Sequence, residues 1–199
     1  MNLSMQEFEV AVAVAANENM KDRQEPLMAS YKENVETAKI VDMAKTTSTR
    51  IPASTALYSE VTPGYNSPQS YAVGVHSAVG GLSDYATPGD LLCAAIAACL
   101  DSTIRIISSR LSIPLKSLSV TVKAEIDVRG TLRVDDTVPV GFQDIQIEVD
   151  LQAMMQLPEG TIRTILSAAE HSCVVLQTLK NTPSISLSTA LEKTMENAA

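Results

Sequence analysis

The sequence has few basic residues, and this scarcity argues against one class of partner. Lys and Arg number 15 against 23 Asp and Glu in 199 residues, which gives a formal net charge of −8 at pH 7. Proteins that bind the phosphate backbone of nucleic acids present clustered positive charge. No run of Lys and Arg supplies such a cluster here. We therefore predict that the chain does not bind nucleic acid.

Long hydrophobic runs are also missing. The longest wholly apolar stretch covers residues 91–100, whereas a helix that crosses a bilayer needs about 18 to 20 apolar residues. The residues after Met1 lack the basic and apolar segments that are typical of a signal peptide. We expect a cytoplasmic protein with no membrane partner.

Cysteine and histidine are scarce. The three cysteines, Cys93, Cys99 and Cys173, are too few for the disulfide framework of a secreted domain. In a reducing compartment they are either buried small hydrophobic residues or thiols with a chemical role. The two histidines, together with the wide spacing of the cysteines, do not make a zinc site. We expect no bound metal.

The composition of the chain changes near residue 48. Residues 1–48 are rich in Ala, Glu, Met and Lys, and apolar residues recur there at helical spacing, at Leu27, Tyr31, Val35 and Ala38. This pattern predicts a helical N-terminal extension over residues 1–48 and a single domain over residues 49–199, a length that supports one buried core.

Alternating apolar and polar residues predict strands. Leu118 to Val128 and Ile145 to Leu151 alternate over several residues, which favours an antiparallel pair with one polar face. A shorter alternation predicts a strand over residues 71–75. Ile185 and Leu187 predict a short closing strand.

Two segments predict long helices. Thr87, Pro88 and Asp90 form a helix opening, and the helix that follows is expected to continue to about Leu111. The second helix begins after Pro158 and is expected to end near residue 181. Its apolar stripe comprises Ile162, Ile165, Ala169, Cys173 and Leu176.

These elements predict an α+β fold in which antiparallel sheet covers the two helices. The first half of the first helix, residues 91–100, is apolar on every face, so it must be covered on all sides. A sheet covers it on one side only. We therefore expect a homodimer in which these helices pack against each other at a shared interface.

Cys99 and Cys173 each lie in the middle of a predicted helix. A single cysteine at such a position is most often an inert packing residue. If the two helices cross there, the thiols come within bonding distance and form a redox couple. The residues alone leave both interpretations open.

Several motifs resemble the OsmC/Ohr family. Gly80-Gly81, the opening Thr87-Pro88-Gly89-Asp90-Leu91-Leu92 and the run Ala94-Ala95-Ile96-Ala97-Ala98-Cys99 are similar to its first cysteine motif. The segment Ala168-Ala169-Glu170-His171-Ser172-Cys173-Val174-Val175 is similar to its second. The resemblance spans about 70–189 and implies antiparallel sheets packed on two long central helices in an intertwined homodimer.

The resemblance also implies an activity. It assigns Cys99 as the peroxidatic and Cys173 as the resolving cysteine of a peroxidase that reduces organic hydroperoxides in oxidative-stress defence, with an external dithiol reductant and no metal or organic cofactor. An apolar pocket made by the helices would favour organic over hydrogen peroxide. The alternative is a non-catalytic small-molecule binding or structural dimer with the same fold.

Activation of the peroxidatic thiol needs a cation, because burial among apolar side chains raises the pKa of a thiol. The family uses an arginine paired with a carboxylate. Arg50 is the candidate arginine, or else an exposed solubilising charge. Asp90 is the candidate carboxylate, or else a helix cap, and Gly89 stands where Ohr-like sequences have glutamate. Arg105 is expected to point away from Cys99, because it lies about 240° around the helix.

Overall fold

The fold, given by a computed structural model, is described for residues 5–15, 18–64 and 69–189. The helices are α1 (Met5–Ala15), α2 (Met20–Glu33), α3 (Pro88–Arg110), α4 (Val128–Thr131), α5 (Thr161–Ser172) and α6 (Val174–Lys180). The strands are β1 (Ala44–Thr46), β2 (Tyr58–Pro63), β3 (Tyr71–Gly74), β4 (Leu115–Glu125) and β5 (Asp144–Ala153). Together they confirm the predicted mixed fold of helices and antiparallel sheet.

The longest helix, α3, has strong signals at both ends. Thr87 and Asp90 form a capping box, in which each side chain accepts a hydrogen bond from the backbone N–H of the other residue. At the other end Ser112 adopts a left-handed conformation (φ 56°). The N–H groups of Ser112 and Ile113 then donate to the carbonyls of Ser109 and Ser108, the pattern of a Schellman motif. The predicted start and end of this helix are confirmed.

The two long strands form an antiparallel ladder from Leu115↔Ala153 to Glu125↔Asp144. Their inward-facing residues include Leu118, Val120, Ile147, Val149 and Leu151, which pack against the core formed by α3 and α5. The predicted antiparallel pair is therefore confirmed. The first strand ends at Glu125, not at Val128, because Asp127 caps the short helix α4 by accepting a hydrogen bond from the N–H of Arg129.

The second predicted helix is interrupted. It begins at Thr161, stops at Ser172 and resumes at Val174, with Cys173 between the two parts in an extended conformation (φ −76°, ψ 106°). The prediction of one continuous helix with Cys173 in its middle is wrong. The apolar stripe nevertheless continues, since Ile165, Ala169 and Cys173 are all buried in one cluster.

The N-terminal part of the chain contributes helices and a strand. The helical character predicted for residues 1–48 is seen in α1 and α2, while β1, in the same range, pairs with β2 in the three-stranded sheet β1-β2-β3. The predicted closing strand is wrong, because residues 182–189 have no regular structure and Ile185 and Leu187 are exposed.

The helix α3 is covered on one side. Ile96, Leu100, Ile104 and Ser108 are buried, whereas Ala94, Ala95, Ala98 and Ser102 are exposed. Of the described helices, α3 is long and apolar enough to span a membrane by length and composition, and 22% of its most apolar 18-residue window is buried. The core helix of a globular protein meets the same criterion, so this is weak evidence for a membrane. We call the exposed residues Ala94, Ala95, Ala98 and Ser102 the open face of α3.

Candidate active site

Cys99 lies on α3 at the border between its buried stripe and its open face. With about 100° of rotation per residue, Cys99 is about 60° from buried Ile96 and about 40° from exposed Ala95 on the other side. Its side chain is half-buried and packs against the core cluster. One side of the thiol thus contacts the core and the other is directed towards the open face.

Cys173 lies at the break between α5 and α6, at the centre of the core. It is 0% exposed and belongs to the buried cluster with Leu100, Ile104, Ile165 and Ala169. The backbone of Cys173 is extended, so α5 ends and α6 begins at the residue whose side chain is buried in the core.

The structure brings the two thiols together. Cys99 packs against the buried cluster that contains Cys173, and both cysteines are free. Burial raises the pKa of the Cys173 thiol, and the neighbouring Cys99 side chain raises it further. The backbone N–H groups of Leu176 and Val175 oppose this increase in pKa. At neutral pH Cys173 is therefore held in the thiol form.

Arg50 is bound to a carboxylate in the first sheet. Its Nε donates to Glu60 Oε2 at 2.8 Å, and its Nη2 donates to Glu60 Oε1. Glu60 is 6% exposed, while the Arg50 side chain is 69% exposed. The Arg50 guanidinium lowers the pKa of Glu60, and a hydrogen bond from Ser70 acts in the same direction while burial opposes them. This bidentate pair fixes an otherwise mobile guanidinium on the β1–β2 loop.

Asp90 is a helix cap in this structure. Its Oδ2 accepts hydrogen bonds from the N–H and the Oγ1 of Thr87, each at 2.8 Å, and these bonds lower the pKa of Asp90. If another residue replaced Gly89, its Cβ atom would lie 3.1 Å from Cζ of Phe142. The ring of Phe142 therefore occupies space beside the position where Ohr-like sequences carry glutamate.

The remaining candidates lie apart from the thiol pair. Arg105 forms a bidentate ion pair with Asp101 on the surface of α3, at 2.6 and 3.2 Å. Cys93 is half-buried near the start of α3, and His171 is exposed in the last turn of α5. Within the described ranges, no group of three or more His, Cys, Asp and Glu is arranged to hold a metal ion.

Two cavities lie beside the body of the chain, and the thiols line neither of them. One, of about 360 Å³, is formed by the β1–β2 loop with Val73, Val75 and Pro88. The other, of about 260 Å³, lies between the end of β5 and the start of α5 and includes Leu151, Met155 and Ile162.

Glu60 is the feature that the sequence did not reveal. It lies in β2, where Tyr58, Glu60 and Thr62 alternate with Ser59 and Val61, a pattern too polar to indicate a buried position. Its partner, Arg50, is ten residues earlier in a loop of irregular composition. The one available signal was the coincidence of a carboxylate in a short strand with an arginine in the preceding loop.

Comparison with known proteins identifies the fold. Residues 81–188 match the family model described as OsmC-like protein. No curated protein sequence gives a significant match. A similar solved structure is an organic hydroperoxide resistance protein from Elizabethkingia anophelis with thiocyanate bound, which is 19% identical, with 72% of this chain and 91% of that chain covered and a TM-score of 0.52. An OsmC-like protein from Mycoplasma pneumoniae is 12% identical, with 72% and 90% covered and a TM-score of 0.55. An OsmC-like protein of unknown function from Vibrio cholerae is 10% identical, with 70% and 94% covered and a TM-score of 0.55.

Proposed function

Because this chain belongs to the OsmC-like protein family, we propose that it is a thiol peroxidase that reduces organic hydroperoxides through Cys99 and Cys173. The observation that carries this proposal is the packing of half-buried Cys99 against the cluster that contains buried Cys173. In the proposed cycle these two free thiols join in a disulfide.

Cys99 is the peroxidatic cysteine in this proposal, because it is the thiol that a substrate reaches. Its thiolate attacks the distal oxygen of the hydroperoxide, the O–O bond breaks, and the alkoxide takes a proton and leaves as an alcohol. Cys99 is thereby oxidised to a sulfenic acid, and the hydroperoxide is reduced by two electrons.

Cys173 is the resolving cysteine. Its sulfur attacks the Cys99 sulfenic acid, a disulfide forms and water leaves; an external dithiol then returns both residues to thiols by exchange. Complete burial and a raised pKa keep Cys173 from reacting with the peroxide itself. The two cysteines therefore have separate roles.

We place this site at the interface of a cytoplasmic homodimer. A second copy packed on the open face of α3 would form an apolar pocket beside Cys99, which lines neither of the two cavities described above. Arg50 lies on the β1–β2 loop, and among the described residues the strands β1, β2 and β3 make few contacts with α3 of their own chain. We therefore assign Arg50, held by Glu60, as the cation that favours the Cys99 thiolate of the other copy.

A non-catalytic dimer is the second candidate. It is favoured by one observation, that Arg50 is neutralised by Glu60 and largely exposed in the single chain. A protein with this arrangement and no activating cation at its thiols would keep the fold and bind a small molecule without reducing it.

Thiol labelling separates the two candidates. The reduced protein is treated with one equivalent of cumene hydroperoxide and then with a thiol reagent under denaturing conditions. We expect the loss of two labelled thiols per chain, Cys99 and Cys173, with Cys93 still labelled. The matched control, Cys99→Ser, should lose none. Full labelling of Cys99 and Cys173 in the treated wild-type protein would contradict the peroxidase and favour the non-catalytic dimer.

A further inference from the structure

A small group of polar side chains connects the two helices that meet at Cys173. Glu170 lies in the last turn of α5, and Lys180 is the last residue of α6. Lys180 Nζ forms an ion pair with Glu170 Oε1. Gln177 Nε2 donates to the Glu170 carbonyl at 2.9 Å. Two side chains of α6 therefore bind one residue of α5 across the break. We call Glu170, Gln177 and Lys180 the strap.

The break leaves a backbone group of α5 without a partner in its own helix, and the strap supplies one. The last four carbonyl groups of an α-helix have no N–H partner within the helix, and in α5 these include the carbonyl of Glu170. Beyond the break, the Gln177 N–H donates to the Cys173 carbonyl at 2.9 Å and so closes the first turn of α6. Gln177 thus closes α6 with its backbone and caps α5 with its side chain.

The orientation of Cys173 depends on how α5 and α6 meet, because it is the single non-helical residue between them. Ile165 and Ala169 are buried and fix α5 in the core. No residue of α6, which is described throughout, is buried, and half-buried Val175 and Leu176 make its contacts with the core cluster. The helix α6 is therefore the less firmly packed of the two, and the strap holds it to α5.

The strap is exposed to solvent, so its contribution to folding stability is small. The side chains of Lys180 and Glu170 are 48% and 51% exposed, and exposed ion pairs contribute little to the free energy of unfolding. A hydrogen bond from Lys180 lowers the pKa of Glu170 while burial opposes it, so the carboxylate is ionised at neutral pH. Loss of the strap should thus change the orientation of Cys173 more than the stability of the fold.

We propose that the strap positions Cys173 for its attack on Cys99. Its three members are then positioning residues for disulfide formation, and the proposal rests on the thiol pair of the peroxidase proposed above. Groups that are oriented within one molecule react much faster than freely moving groups, and a small misplacement lowers the rate. Without the strap, α6 would be freer to turn about Cys173, whose sulfur would spend less time in line with the bond that it attacks.

An aromatic disulfide, dithiobis(nitrobenzoate), tests this step without a peroxide. In a Cys93→Ser parent chain, the Cys99 thiolate attacks one equivalent of the reagent, forms a mixed disulfide and releases one thionitrobenzoate. Cys173 then loses its proton to solvent, attacks the Cys99 sulfur and releases the second thionitrobenzoate. The two cysteines are oxidised to a disulfide and the reagent is reduced to two thiolates. The absorbance of these thiolates gives the rate of each step.

The double variant Gln177→Met/Lys180→Met removes both contacts of the strap with side chains of similar length. We expect the second release to be about fivefold slower than in the parent chain, because an ion pair and a hydrogen bond are lost, and the first release to be unchanged. Lys21→Met removes an ion pair of similar exposure on α2; this matched control should leave both releases unchanged. Lys180→Arg keeps the ion pair and should also match the parent.

An unchanged second release in the double variant would overturn the proposal. Equal changes in both releases would also overturn it, because a general loosening of the core affects Cys99 and Cys173 alike. If the parent chain gave no second release, the strap and the thiol pair would be overturned together. A parent chain that gives both releases, slowed as expected in the double variant, but does not react with cumene hydroperoxide would overturn the peroxidase and leave the strap intact.

Discussion

At the scale of single residues, the two thiols differ in what surrounds them. Cys173 is enclosed by the core, and burial raises its pKa, whereas Cys99 has one side directed to the open face of α3. In the proposed reaction, the core that shields Cys173 from an external oxidant also holds it next to Cys99, the residue it is proposed to attack. The proposal therefore implies a fixed order of events.

Cys173→Ser should stop the reaction after its first step. Treatment with one equivalent of cumene hydroperoxide should raise the intact mass by about 16 Da, for a Cys99 sulfenic acid, whereas the wild type should lose about 2 Da on forming a disulfide. Cys93→Ser serves as the control and should behave as the wild type. A loss of about 2 Da in Cys173→Ser would mean that Cys93 resolves the sulfenic acid instead.

Glu60 contributes stability that depends on pH. Its pKa is lowered in the folded chain, first by the hydrogen bond from Arg50, so its contribution is fully present above the unfolded-state value of about 4.5 and is lost as the pH falls through the lower folded-state pKa. Glu60→Gln should therefore lower the melting temperature at pH 7 but have a smaller effect near pH 3. Glu148→Gln, at an exposed position of β5, is the control. Equal effects of Glu60→Gln at both pH values would contradict this prediction.

At the scale of elements, the sequence predicted what local patterns determine. The alternation in β4 and β5 and the capping residues of α3 act over a few residues, and both predictions are confirmed. The break at Cys173 could not be predicted, because no Gly or Pro marks it and the apolar stripe crosses it unchanged. The closing strand failed because alternation at Ile185 and Leu187 does not specify a pairing partner.

The candidate site was predictable in part for the same reason. Cys99 and Cys173 were singled out by their places on helical stripes and by a family resemblance. Glu60 depends on a contact between a loop and a strand of the first sheet, and no periodic pattern encodes such a contact.

The open face of α3 gives a prediction at this scale. If the proposed dimer forms on this face, the wild type should be dimeric and Ala98→Glu monomeric at micromolar concentration, because two carboxylates would be buried across the two-fold axis without partners. Light scattering measures the mass directly. Ser119→Glu, at an exposed position of β4, should leave the mass unchanged. A dimeric Ala98→Glu protein would place the interface elsewhere.

At the scale of the whole molecule, the thiols and the Arg50–Glu60 pair lie in different parts of the chain. The core of α3, α5, α6, β4 and β5 holds the thiols, while Glu60 lies in the sheet β1-β2-β3 and Arg50 on its β1–β2 loop. Among the described residues, this sheet contacts mainly the segment that leads into α3, where the Gly74 N–H donates to the Ala86 carbonyl. An active site that needs both parts is therefore proposed to form between copies.

Mixed dimers test this assembly. Dimers that combine one Cys99→Ser chain with one Arg50→Met chain, isolated with two affinity tags, should regain about half of the wild-type peroxidase activity, because one of the two sites keeps both residues. Each variant alone should be nearly inactive. If Arg50 acts within its own chain, the mixed dimers have no intact site and stay inactive. Full activity of Arg50→Met alone would remove Arg50 from the mechanism.

The one-sided cover of α3 also has a consequence for how the folding stability of the protein depends on its concentration. In the proposed dimer, the chain would gain part of its folding free energy from association, so its stability would follow mass action and its melting temperature would rise with protein concentration. At low concentration it would unfold more readily and be exposed to proteolysis. The concentration of the chain would then determine what fraction of it is folded and functional.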